Sequence, residues 1–161
     1  MSDDARRQLA VTQARLVRAL VEGAAAPAGF DRERLAATAE ALLLKRARAV
    51  AQSWPQLARV MGDGFAARFT SYARANPLPG DGGPLADGRA FVRWLERAGL
   101  LSDEGRLEAF AFDARFRIHH DEITPRRGPW LCARRFKGLR RLVIVVRLPF
   151  VGERWLNTKI L

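Results

Sequence analysis

His119, His120, Asp121 and Glu122 form a run of four metal-capable side chains, and Cys132 is the one thiol of the chain. A zinc or iron site needs three or four such donors converging on one point. Around this run Phe116, Ile118 and His120 alternate with Arg115, Arg117 and His119. Neighbouring side chains of a strand point to opposite faces, so the two histidines diverge, and the run reads as a basic strand end entering a polar turn. Cys132 lies between Leu131 and Ala133. A nucleophilic thiolate needs a base and an electropositive, accessible setting. Arginines are near in sequence, but with apolar neighbours this cysteine reads as a small apolar sheet residue. A single cysteine makes neither an internal disulfide nor a multi-cysteine zinc site, which fits a reducing compartment. No phosphate loop, nucleophile elbow or dinucleotide fingerprint occurs. The expectation is a chain with no catalytic residue, no metal and no cofactor.

Cations are the remaining chemistry. The formal net charge is +11; residues 1–110 hold 16 Lys and Arg against 13 Asp and Glu, whereas residues 111–161 hold 12 against 4. A field of that sign favours an anionic partner: nucleic acid, an acidic peptide or an acidic protein face. Arg134, Arg135, Lys137, Arg140 and Arg141 surround an expected hairpin tip, with Arg126, Arg127 and Arg147 as further candidates. These eight are the candidate peptide- or anion-binding residues, able to neutralise phosphates or carboxylates. None is assigned to reading a base. Lys45-Arg46-Ala47-Arg48 reads as the solvated face of a helix. Trp130 and Trp155 sit among apolar residues at strand spacing and read as sheet core rather than stacking platforms.

The elements that position these cations begin with residues 31–77. Leu35, Ala39, Leu42, Leu43, Arg46, Val50 and Trp54 recur at helical spacing behind a capping Asp31. Pro55 ends that helix and starts a short second one through Leu57, Val60 and Met61, which Gly62-Asp63-Gly64 stops. Phe65, Phe69 and Tyr72 form an aromatic stripe on a third helix ended by Asn76-Pro77. Before this cluster, a helix over residues 3–22 carries Leu9, Leu16, Val17 and Leu20, closes at Gly23 and is expected to pack on the cluster. After it, residues 78–84 are a Gly- and Pro-rich loop, and Asp87 is expected to cap a helix over residues 88–98 stopped by Gly99. Ser102-Asp103-Glu104 caps a further helix with Leu107, Phe110 and Ala111 inward, ending near Ala114.

The periodicity then changes to two. A basic strand leads to a turn at residues 124–128, a strand over residues 130–136, a hairpin turn at Lys137-Gly138 and a strand over residues 142–148 that is apolar on both faces and therefore expected to be central and buried twice. Pro149 and Gly152 break it, and residues 154–161 alternate as a fourth strand through Leu156, Thr158 and Ile160. The expected fold is α+β: a helical bundle at residues 1–114 followed by a small, basic antiparallel β-sheet at residues 115–161. At 48% apolar content the chain is a folded domain rather than a disordered one. The longest uninterrupted apolar run, residues 142–146, is too short to cross a bilayer, and the N-terminus lacks the apolar core of a secretory signal, so a cytoplasmic protein with no membrane partner is expected.

Leu42, Lys45, Arg46, Phe65, Phe69, Tyr72, Asn76 and Pro77, followed by Gly88-Arg89-Ala90-Phe91-Val92-Arg93-Trp94-Leu95, resemble a bacterial helical family of conserved hypothetical proteins labelled as a DNA-binding domain. Arg126-Arg127-Gly128-Pro129 with Arg147-Leu148-Pro149-Phe150-Val151-Gly152-Glu153-Arg154-Trp155-Leu156 is similar to the tail of its actinobacterial branch. The resemblance covers most of residues 31–156. Members of that family accompany multinuclear non-haem iron oxidative enzymes that modify ribosomally made peptides, as in the methanobactin partner subunit. The companion carries no iron, does no chemistry and helps hold the precursor peptide at the enzyme. The resemblance thus implies a non-catalytic partner of an iron-dependent peptide-modifying enzyme. A nucleic-acid-binding or regulatory protein using the basic C-terminal region is the alternative.

Overall fold

The computed structural model describes residues 3–21, 24–119, 122–148 and 152–159. Gly23, His120, Asp121, Pro149, Phe150, Val151 and Ile160, all singled out above, lie outside the described residues. The fold is α+β. Among the described residues six helices, α1 (Asp3–Val21), α2 (Arg32–Ser53), α3 (Pro55–Met61), α4 (Gly64–Ala75), α5 (Gly83–Arg97) and α6 (Asp103–Arg115), precede five strands: β1 (Phe116–His119), β2 (Glu122–Pro125), β3 (Trp130–Phe136), β4 (Arg141–Leu148) and β5 (Gly152–Lys159). Two compact units are assembled from interleaved segments, Met1–Ala49 with Asp63–Leu78, and Val50–Gly62 with Pro79–Leu161. They do not follow a boundary at residue 114, because Phe110 and Ala114 of α6 share a core with Phe136, Val143 and Val145 of the sheet.

In the first unit, Asp31 Oδ1 accepts the backbone N–H groups of Glu33 at 2.9 Å and Arg34 at 3.3 Å, which caps α2 as its position before the apolar stripe requires. Leu42 is exposed and Ala47 is buried. The stripe thus differs in part from the expected one. Phe65, Phe69 and Tyr72 are all buried on α4, with ring centroids 6.0 and 5.6 Å apart along the stripe. Arg46 corrects the reading of its run as a solvated face. Its Nη1 donates to the carbonyls of Asn76 at 2.9 Å and Ala73 at 3.4 Å, its Nη2 donates to that of Pro77 at 3.4 Å, and the guanidinium lies 5.6 Å from the Phe69 ring centroid. A cation is favourable at a helix C-terminus, where carbonyls lack partners. Helix α1 buries none of its residues. Leu9 and Val17 remain exposed, so the expected packing of its stripe is limited to the half-buried Leu16 and Leu20.

The second unit is organised around Trp54, which is 1% exposed. Its Nε1 donates to the Leu85 carbonyl at 3.2 Å, and its ring centroid lies 5.0 Å from that of Phe112. Helix α5 starts earlier than expected, at Gly83, with Pro84 in its first turn. Asp87 is therefore a fully buried residue inside the helix and not its cap. Gly99, at φ 68°, stops α5, and the Ser102 side chain caps α6 by accepting the Gly105 N–H at 3.1 Å. Arg89 and Asp113 join α5 to α6 through two bonds, Nε to Oδ1 at 2.8 Å and Nη2 to Oδ2 at 2.7 Å.

Among the described residues the strands form two antiparallel sheets, β1-β2 and β3-β4-β5. The expected turn at residues 124–128 starts too early, because Glu122–Pro125 is itself a strand that pairs Arg117 with Thr124 and His119 with Glu122. Strand β4 is central, flanked by β3 through Cys132↔Val145 and by β5 through Val145↔Trp155. Val143 and Val145 on one of its faces are buried, whereas Leu142, Ile144 and Val146 on the other are half-buried and Leu148 is exposed. The expectation of a twice-buried strand fails for that reason: centrality in a sheet fixes the edges of a strand, not how many layers cover its faces.

Candidate peptide and anion site on the C-terminal sheet

The hairpin joining β3 to β4 is built by residues 137–140, closed by Arg140 N–H donating to the Lys137 carbonyl at 3.1 Å. Arg140 adopts φ 49°, the left-handed region that a non-glycine residue occupies at a cost of about 1 kcal/mol. Asp103 at the start of α6 holds this tip in place. Its Oδ2 accepts the Gly138 N–H, and its Oδ1 accepts Arg106 Nη1 at 2.9 Å. The bond from Arg106, joined by that from Gly138, holds the Asp103 carboxyl below the usual range although burial opposes the shift.

Strand alternation then sorts the eight candidate cations. Arg134 and Arg135 point to opposite faces, being paired with Val143 and Leu142 respectively. Arg134 is exposed, with its guanidinium 5.9 Å from the Phe136 ring centroid. Lys137 and Arg140 are exposed at the tip, and Arg141 beside them is half-buried and in register with Lys159 of β5. The tip thus gathers Arg134, Arg135, Lys137, Arg140 and Arg141, and adds Lys159.

The other three candidates are at the far end of the strands, where Trp130 pairs with Arg147. Arg126 is engaged internally: its Nε donates to the Asp113 carbonyl at 2.6 Å, its guanidinium lies 5.3 Å from the Trp130 ring centroid, and its own carbonyl accepts Arg147 Nη1. Arg127 is exposed and lines a shallow hollow of about 370 Å³ with Arg117, Thr124, Pro125 and Arg126. The eight therefore form two groups, one at the tip and one at the β1-β2 hairpin, with Arg126 and Arg147 acting first as structural cations. Sequence reasoning passed over Arg117 and Lys159, although strand alternation places Arg117 beside Thr124 and Lys159 beside Arg141.

The sheet core absorbs the remaining candidates. Cys132, Trp130 and Trp155 pack against the cluster of Phe110, Ala114, Phe136, Val143 and Val145. The Trp155 indole donates to Glu153, which also accepts Arg115 Nε at 3.2 Å. His119 stands opposite Glu122 across the β1-β2 hairpin. Among the described residues no three His, Cys, Asp or Glu side chains come together as a metal site. No helix among them is long and apolar enough to cross a membrane. In the first unit a separate cleft of about 640 Å³ lies between α1 and α2, lined by Leu20, Leu35, Ala39 and Leu43 and bordered by the Glu40–Arg74 ion pair at 2.6 Å.

These features define an α+β protein with a helical N-terminal part and an open, cation-bearing antiparallel sheet. The chain belongs to the SCO6045-like, C-terminal domain family, whose match spans residues 10–97. It is also similar to a UPF0276 protein of Streptomyces avermitilis, with 40% identity over 102 residues that make up 63% of this chain and 20% of that protein. The chain thus spans about a fifth of the length of that relative. No solved structure matches it. The expected kinship with an actinobacterial family holds at this level, and the family match lies within the helical part, ahead of the sheet.

Proposed function

We propose that this chain is a non-catalytic partner module that holds a ribosomally made precursor peptide at a multinuclear iron-dependent peptide-modifying enzyme. The observation that carries this reading is the open sheet. Among the described residues, the outer edges of β3 and β5 pair with no further strand. An extended peptide satisfies such an edge with its own backbone whatever its side chains, and the cations at the tip supply partners for an acidic leader. The family is described as a C-terminal domain, and the matched region is a fifth of a longer Streptomyces protein. A region that accompanies a much larger body in a relative suits an accessory role. The iron enzyme enters through the family resemblance of residues 31–156.

The test is titration of a labelled precursor peptide into the protein, with and without the enzyme, read by anisotropy and by amide exchange of β3 and β5. Saturable binding with slowed exchange along one edge strand is expected, weakened when Arg134, Arg135, Arg140 and Arg141 are changed to glutamate. Duplex DNA should bind weakly and without sequence preference, its affinity falling steeply with salt. Tight, sequence-selective DNA binding at physiological salt, with no peptide binding, overturns the reading in favour of a nucleic-acid-binding protein.

A further inference from the structure

The three-stranded sheet has two faces, and the inner one meets Phe110 and Ala114. The pairings Leu131↔Val146 and Ile144↔Leu156 bring four apolar residues to the centre of the outer face. Leu131 is 68% exposed, Leu156 57% and Leu148, at the end of the same face, 48%. An antiparallel sheet with one solvated face ordinarily alternates apolar with polar residues, and a contiguous exposed apolar patch marks a contact surface.

Charge selects the occupant. Among the described residues of the three strands, Arg135 and Arg154 are the charged ones on this face, set opposite Leu142 and Val146. The one acid of residues 130–159, Glu153, is on the inner face and is held by Arg115 and Trp155. A second copy of the chain would bring the same two cations and no acid, so this face repels its like and suits an acidic partner. Size selects the partner's shape. Strands lie about 4.8 Å apart, so β3 to β5 measures about 10 Å, the diameter of one helix. Arg135 is in line with Thr158 through Leu142, four residues along β5 from Arg154. Along the strands that offset is about 13 Å, and with the width of about 10 Å the diagonal is about 16 Å, which a helix covers in about eleven residues.

We infer that the outer face of β3-β4-β5 docks the apolar side of one acidic amphipathic helix from a partner protein, with acids near both ends of the helix meeting Arg135 and Arg154. This surface is the face of the sheet and not its edge, and it shares only Arg135 with the candidate peptide site, so Leu131, Leu156 and Arg154 separate the two readings.

The experiment uses the full chain and two fluorescein-labelled helical peptides of about 14 residues. Both carry leucines at i, i+3, i+4 and i+7; one has flanking glutamates and its twin has lysines. The glutamate peptide is expected to saturate the protein and the lysine twin to bind at least about tenfold more weakly. Leu131→Thr with Leu156→Thr, both strand-compatible and at exposed positions, should weaken the glutamate peptide about tenfold without moving the thermal midpoint. Arg135→Glu with Arg154→Glu should transfer the preference to the lysine twin. Equal binding of the two peptides, or a preference untouched by the charge reversal, overturns the inference. So does binding to phosphatidylserine vesicles in place of the peptide, or a dimer in sedimentation that the two threonine changes dissociate.

Discussion

Glu108 Oε2 accepts the Leu57 backbone N–H at 2.6 Å, and Oε1 of the same carboxylate accepts that of Gln56 at 3.1 Å. Helix α6 thereby closes the N-terminus of α3, whose own preceding residue, Trp54, supplies no side-chain cap. Glu108→Ala leaves those two donors without their partner and should cost about 1–2 kcal/mol in denaturant unfolding. Burial raises the Glu108 carboxyl above its ordinary value despite the two N–H bonds. The folded chain therefore binds that proton more tightly than the unfolded chain, and the contribution, fully present below the unfolded value, declines as pH rises through the folded one. The stability gap between the parent chain and Glu108→Ala should be larger near about pH 4 than near about pH 7.

Asp103 has the opposite sign. With its carboxyl lowered first by Arg106 and then by the tip backbone, its contribution is present above the ordinary carboxylate range and lost as pH falls through its depressed folded value. Asp103→Asn should flatten the acid limb of the stability profile, and amide exchange at Gly138 should quicken in the variant. An unchanged acid limb contradicts the assignment.

Gly88 faces the indole of Trp54, and a Cβ added there would stand far inside van der Waals distance of the ring. Gly88→Ala should destabilise the chain by about 3 kcal/mol in chemical denaturation, and Trp54→Leu in the same chain should recover part of that loss because the two effects share one space. Strict additivity of the two changes would show that they do not.

Arg46→Met keeps much of the aliphatic stem over the aromatic stripe but removes the bonds to the Ala73, Asn76 and Pro77 carbonyls and the cation over Phe69. A loss of about 2 kcal/mol is expected, with faster exchange in the last turn of α4. A surface arginine of no structural role would give less than about 0.5 kcal/mol.

Punctuation made most element boundaries legible in the sequence. Asp31, Pro55, Gly62, Asn76 and Ser102 each act on the residues beside them, and β3 occupies the expected residues 130–136. Asp87 misled because its residue type suits a cap, while Pro84, read as part of a loop, instead fits the first turn of α5. Strand β2 is short, polar and ends in proline, and only its pairing with β1 identifies it. The cations were visible by type, but their employment was not. Arg46 and Arg126 are spent on carbonyls contributed by distant residues or other elements, and nothing in their local sequence distinguishes them from the exposed Arg127.

The open sheet also sets the colloidal behaviour of the isolated chain. Among the described residues the outer edges of β3 and β5 pair with no further strand, and such edges beside an apolar face are a template for growth into stacked sheets that like charge on neighbouring copies opposes. That repulsion acts over about 10 Å at about 0.1 M salt and over about 3 Å at about 1 M. Light scattering should therefore rise with added sodium chloride, the reverse of ordinary salting-in, so that the charge proposed to meet an anionic partner also acts as the sheet's guard against itself.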